Sequence, residues 1–246
     1  MKTYITIATA LIVVGLFFFN VNPNELNLRG KNNSVPEFDM YVFSLQWGKT
    51  ICLQESSCTT KLSNLQNKNI LLMKAMMPWL STKKGGVVRK CNQETDILIV
   101  GSDEIFNSAK QYWPSLENKG NEEYWSNLYN NYGYCYTNKT NQNEYKYYFK
   151  KALEEYKNKT MSTLISNITN NATETVYVSL DELNNTLYSV LGGNYFSLKC
   201  KSIKKKQYLE EIRLALDLDF NYKEMEEQFK DNSCKSNKNI IIPIIE

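Results

Sequence analysis

The side chains that could do chemistry in this chain are defined first by an absence: there is no histidine. Histidine is the side chain whose ordinary pKa lies near neutrality, and it is the commonest metal ligand. Acid–base catalysis near neutral pH would have to come from other groups, and neither a metal nor a cofactor is expected. The six cysteines, Cys52, Cys58, Cys91, Cys135, Cys200 and Cys234, contain no Cys-x-x-Cys pair. Their even number and spacing point away from zinc or dithiol redox chemistry and toward three disulfides in an oxidising compartment. Residues 217–221 (DLDFN) look like the start of a calcium loop. The sixth position is Tyr222 where glycine is needed and the twelfth is Gln228 where glutamate is needed, so that reading fails. Lys201, Lys204, Lys205 and Lys206 could touch phosphate, but they fall between two expected strands, where a solvated turn is the simpler account. No phosphate loop or serine triad can be assembled.

These groups are carried on a chain that reads as exported. After Lys2 an apolar run spans residues 4–19 (YITIATALIVVGLFFF), shorter than the roughly 20 residues needed to cross a bilayer. Residues 1–20 are expected to be a secretory signal, with an uncleaved anchor as the alternative, and residues 21–36 a polar linker. Glycosylation sequons fall at Asn32, Asn138, Asn158, Asn167, Asn171 and Asn184. Six is little more than a chain this rich in Asn, Ser and Thr would hold by chance, so the signal and the cysteines carry the argument. The expected location is outside the cell or in the lumen of the secretory pathway, with no stable membrane span once the signal is removed.

Residues 37–246 are long enough, and the chain at 42% hydrophobic apolar enough, for one domain with a sizeable core. A net charge of +3 is too small for the dense positive face of a non-specific nucleic-acid binder. Residues 38–47 (FDMYVFSLQW) and 70–77 (ILLMKAMM) read as buried strands, and 96–100 (DILIV) as either strand or helix. Between 121 and 157, Tyr145, Phe149, Ala152, Leu153 and Tyr156 recur at helical spacing, and two helices are expected. Residues 158–175 read as a glycosylated surface loop. Asp181 is expected to cap a helix running to Leu191, ended by Gly192 and Gly193. From Tyr208 to Phe220, apolar residues alternate with Glu211, Arg213, Asp217 and Asp219, as in a strand with one buried and one wet face. Strands at both ends with helices between make an α+β domain with an antiparallel sheet packed against helices.

Several segments, in order, resemble the ribonuclease T2 family. YVFSLQWGKTIC (41–52) is similar to the family's opening strand ending Leu-Gln-Trp-Pro. LLMKAMMPW (71–79), with a Gly-Gly and Cys91 behind it, stands where the family has Phe-Thr-Ile-His-Gly-Leu-Trp-Pro. YWPSL (112–116) matches, YWSNLYNNYGYC (124–135) lies in the place of Phe-Trp-x-His-Glu-Trp-x-Lys-His-Gly-Thr-Cys, and YLEEIRLALDLDF (208–220) is similar to the late Leu-x-Glu-Ile-x-Leu-Cys strand.

The resemblance implies a single-domain ribonuclease T2-like fold and the pairs Cys52–Cys58, Cys91–Cys135 and Cys200–Cys234. It also implies a degenerate active site. The first catalytic histidine position holds Lys74; the His, Glu, Lys and His of the second motif are Asn127, Leu128, Asn131 and Tyr132. Using Lys74 as a base would require its pKa to fall by some three units, about 4 kcal/mol. An amine reaching solvent or a carboxylate on the cleft floor is the simpler role. Tyr129, Tyr132, Tyr134 and Tyr136 crowd the same region, where packing against the sheet or one another is the simpler account; with Leu128 and Tyr132 at the altered positions, the old active site is expected to be a shallow pocket lined by tyrosine. Gln46 and Tyr124 match positions that hold a base in the family, although Gln46 also suits a buried hydrogen-bonding role. The implied function is that of a secreted pseudoenzyme, a structural or protein-binding glycoprotein. The alternatives are a weak or redirected RNA endonuclease and a non-catalytic RNA or nucleotide binder.

Overall fold

Strand β1, Met40–Trp47, alternates between Tyr41, Phe43, Leu45 and Trp47 on one face and Met40, Val42, Ser44 and Gln46 on the other, and both faces are buried. In the computed structural model the described residues are 37–53, 56–63, 71–81, 86–91, 98–99, 103–117, 119–137, 145–159, 161–225 and 231–244. The expected signal and linker lie outside them, as do Asn32 and Asn138. After β1 come α1 (Gly48–Cys52), α2 (Ser56–Ser63), β2 (Leu71–Leu80), β3 (Gly86–Val87), α3 (Glu104–Tyr112) and α4 (Asn121–Leu128). A π-helical turn (Tyr129–Gly133) leads into α5 (Tyr134–Thr137), followed by α6 (Tyr145–Asn158), α7 (Met161–Thr169), β4 (Val176–Val178), α8 (Leu180–Leu191), β5 (Phe196–Ile203), β6 (Lys206–Leu216) and β7 (Ile240–Ile242).

The strands form one sheet in the order β3-β2-β1-β6-β7-β4, with β5 on the remaining edge of β6. Most pairs are antiparallel as expected, but β6 and β7 run parallel through Gln207↔Ile240 and Tyr208↔Ile241. Strand β6 is long enough to serve three neighbours, with β5 along one edge and β7 then β1 along the other. The core lies between the sheet and the helices. On α6 it takes up Tyr145, Phe149, Ala152, Leu153 and Tyr156, the residues whose spacing announced the helix, together with Tyr148. All three disulfides pair as the resemblance implied.

Four expectations need correction. Residues 158–175 are not a loop throughout: α7 occupies Met161–Thr169 because Met161, Leu164 and Ile168 sit one helical turn apart and bury one face. Helix α8 is capped not by Asp181 but by Ser179, whose hydroxyl accepts from Glu182 N at 3.1 Å, while Gly192 ends it at φ 79°. The late strand stops at Leu216. Asp217 accepts the backbone N–H groups of Asp219 and Asn221 and turns the chain there, so Leu218 is half exposed. In 96–100, the described Leu98 and Ile99 belong to neither strand nor helix, and Ile99 N donates to Ser126 Oγ at 2.8 Å.

Candidate active site

Lys74 occupies a β-bulge. Ser44 pairs with Ala75 and Leu45 with Met73, so Lys74 is the extra residue that β1 leaves unmatched. Bulges bend a strand and re-aim a side chain, and the freed carbonyl needs a partner. The Lys74 carbonyl has two: Trp113 Nε1 donates to it at 2.9 Å and the Tyr124 hydroxyl at 2.8 Å. Tyr148 donates to Met76 O at 2.9 Å and Tyr156 to Leu71 O at 2.6 Å. Aromatic side chains from the helices therefore hold the backbone of β2 on either side of the bulge.

The Lys74 ammonium reaches Glu211 on β6 and forms an ion pair with its carboxylate. A second bulge lies there, since Lys199 pairs with Glu211 and Cys200 with Leu209, leaving Glu210 over. That extra residue reverses the parity of β6, so that Leu209, Ile212, Leu214 and Leu216 all enter the core while Glu211 and Arg213 share the opposite face. That face is not wet at Glu211, which is 1% exposed, contrary to the sequence reading. Ser44 Oγ donates to Glu211 at 3.1 Å, Lys199 Nζ at 3.2 Å and Arg213 Nε at 3.0 Å. Burial pushes the Glu211 pKa up, but Lys74, then Arg213 and Lys199, outweigh it and hold the carboxyl at about 2. The outer members are tied in turn, Lys199 to Glu210 at 3.0 Å and Arg213 to Asp231 at 3.5 Å.

The second motif lies on α4 and the π turn. Asn127 is exposed, Leu128 is buried at 8% exposure, and Asn131 and Tyr132 are half-buried. Asn131 Nδ2 donates to Asn127 O at 2.7 Å and its own carbonyl accepts from Lys90 N at 3.0 Å. The Arg89 guanidinium lies 5.6 Å from the centre of the Tyr132 ring. The π turn brings Gly133 against Tyr129 and Tyr148 so closely that a Cβ at Gly133 would stand 2.4 Å from the Tyr129 ring. Among the described residues, the Lys74 side chain makes no hydrogen bond or ion pair with Asn127, Asn131 or Tyr132. Of the tyrosines expected to line a pocket, Tyr129 and Tyr134 are buried in the core, and Tyr132 and Tyr136 are half-buried.

The two base-holding candidates are occupied as well. Gln46 is buried and donates to Met73 O at 3.5 Å; the Tyr124 hydroxyl is the one on the bulge carbonyl. Chemically, the assembled group is a buried carboxylate neutralised by the Lys74 ammonium, with Lys199 and Arg213 as further cationic donors. Of the described sequons, Asn158, Asn167 and Asn171 are exposed, while Asn184 is half-buried beside an open depression of about 300 Å³ between α8 and β5.

The sequence reading missed Glu211, Ser44, Lys199 and Arg213. Their signal was available in the polar Ser44 and Gln46 alternating inside an apolar β1, which pair in register with Arg213 and Glu211.

The model of the family described as Ribonuclease T2 matches residues 38–238. No curated protein matches the chain. Among solved structures, the RNase-related protein from Calystegia sepium superimposes with a TM-score of 0.63 at 20% identity, over 85% of this chain and 98% of that one. Ribonuclease MC1 from bitter gourd seeds gives 0.63 at 19% identity, over 82% and 99%. The self-incompatibility-associated SF11-RNase of Nicotiana alata gives 0.61 at 15%, over 84% and 100%. At these identities the likeness is one of fold.

Proposed function

The chain belongs to the ribonuclease T2 family, and we propose that it is a pseudoenzyme of that family, exported and glycosylated, that leaves RNA intact and acts through its surface on another protein. The observation that carries this reading is the ion pair of Lys74 with the buried Glu211. Cleavage of RNA by its own ribose hydroxyl needs a general base and a general acid of matched pKa. At the first catalytic position the chain holds an ammonium fixed to a carboxylate whose pKa is about 2. At the second, an amide, a buried leucine, another amide and a phenol replace the histidines, glutamate and lysine. Acid and base catalysis contribute roughly a hundred- to ten-thousand-fold each, so their joint loss removes most of the rate.

Nucleotide capture without cleavage is less well supported, because the Gln46 amide and the Tyr124 hydroxyl already donate to protein carbonyls. Export rests on the apolar N-terminal run and on three disulfides, which persist in oxidising compartments. Among the described residues no helix is long and apolar enough to cross a membrane. The test is incubation of the purified protein with single-stranded RNA between pH 4 and 8. Intact RNA is the expected result; cleavage that co-elutes with the protein and disappears in Lys74→Ala would overturn the reading.

A further inference from the structure

The β5–β6 hairpin and the segment leading into β7 place Lys201, Lys204, Lys205, Lys206, Lys235 and Lys238 at one end of the sheet. Strand β7 runs parallel to β6, so its N-terminal approach lies beside the hairpin turn. The arrangement is fixed. Gln207, 5% exposed, donates to Lys235 O at 3.2 Å and Lys238 O at 3.3 Å, and its carbonyl oxygen accepts from Lys235 N at 2.7 Å. The Cys200–Cys234 disulfide and a 2.8 Å bond from Cys200 N to Ser233 Oγ tie the same two segments together.

Neither residues 199–208 nor residues 232–244 contain an acidic side chain. Among the described residues none of the six lysines is in an ion pair; Lys235 Nζ meets only the Asn232 carbonyl, at 2.8 Å. The acids that flank these segments are held elsewhere, Glu210 by Lys199 and Asp231 by Arg213. The turn residues Lys204 and Lys205 have φ of 48° and 67°. A two-residue hairpin turn of this kind favours Asn-Gly, so two lysines there work against the fold rather than for it.

We infer that this lysine pad is a docking surface for a short acidic segment of a partner protein. The inference rests on the reading that the chain acts on another protein. Three arguments select this occupant. The cations are all lysine, a hydrated point charge, with no arginine fork of the kind that favours phosphate. The pad is small: neighbouring strands lie about 4.8 Å apart and residues about 3.3 Å along them, so it measures roughly 10 Å each way and suits some three or four extended residues. The rest of the molecule is acidic, since removing these six leaves 23 basic residues against 26 acidic ones, a net of −3. A long nucleic acid or polysaccharide would find no net positive charge outside the pad to extend onto, whereas a short acidic peptide needs none.

The test measures fluorescence anisotropy of a labelled tetraglutamate peptide with the full chain, beside a single-stranded RNA dodecamer, a sulfated oligosaccharide and phosphatidylserine vesicles. The peptide should bind, and should weaken at least tenfold between 50 and 300 mM salt. Lys206→Glu with Lys238→Glu should weaken it at least tenfold, while Lys110→Glu with Lys150→Glu, the same charge change on exposed helix positions, should change it less than twofold. Lys204→Asn with Lys205→Gly should raise the melting temperature yet weaken binding about threefold, an opposition that a purely structural turn would not give. Peptide binding indifferent to the pad substitutions, no peptide binding, or tighter pad-dependent binding of RNA, sulfated sugar or vesicles would each overturn the inference. An RNA cleavage assay on the same samples reports separately on the pseudoenzyme reading.

Discussion

Lys74 and Glu211 face each other across β1, Lys74 within one bulge and Glu211 beside another, and their side chains form an ion pair. Nothing in either strand alone requires this. The bulge of β2 against β1 and that of β6 against β5 accompany a geometry in which the lysine of β2 meets the carboxylate of β6, with the small Ser44 of β1 also donating to it.

Glu211→Gln should destabilise the protein by about 3 kcal/mol, because it leaves Lys74, Lys199 and Arg213 without their shared anion. Denaturant unfolding at pH 7 measures this. A loss under 1 kcal/mol would show that the carboxylate is dispensable.

The same group sets an acid limb. Its folded pKa, about 2, lies below the ordinary carboxylate value of about 4.3. The stability it contributes is present above about pH 4.3 and is lost as pH falls toward 2, on the order of 3 kcal/mol in all. Unfolding free energy against pH should fall through that window in the parent and be flatter there in Glu211→Gln.

The disulfides should differ in worth. Cys91–Cys135 closes a separation of 44 residues and Cys200–Cys234 one of 34, against 6 for Cys52–Cys58. Loop-closure entropy gives about 4 kcal/mol for each of the first two and about 2 for the third. Paired Cys→Ala variants, compared by chemical unfolding, should follow that order.

Helix α7 shows why some of the fold was legible and some was not. Three sequons and a run of polar residues hid the turn-by-turn spacing of Met161, Leu164 and Ile168, whereas the aromatic face of α6 announced itself. The disulfide pairing came through because the family resemblance implies it, and strands β1 and β2 because their apolar runs stand out in the sequence. That Lys74 could meet a carboxylate was legible, but which one was not, because the pairing with Glu211 depends on how β2 and β6 flank β1, and that order is a property of the sheet and not of either strand read alone. Leu164→Ala should cost about 2 to 5 kcal/mol, as for a packed core residue; a cost near zero would return 161–169 to the status of a surface loop.

Restoring the family's catalytic residues should not restore catalysis. Lys74→His would deprive Glu211 of the cation first among those lowering its pKa. Leu128→Glu would place a carboxylate at a position 8% exposed and packed in the core, at roughly 1 to 3 kcal/mol for an unsatisfied group. Tyr132→His would remove the ring beneath Arg89, and Asn127→His would add an imidazole at an exposed position. The combined variant should melt well below the parent and should cleave single-stranded RNA at no more than a trace rate between pH 4 and 8. A variant that kept the parent's melting temperature and cut RNA rapidly would show that the cleft still accommodates the old constellation, and would shift the reading toward retained nucleotide binding.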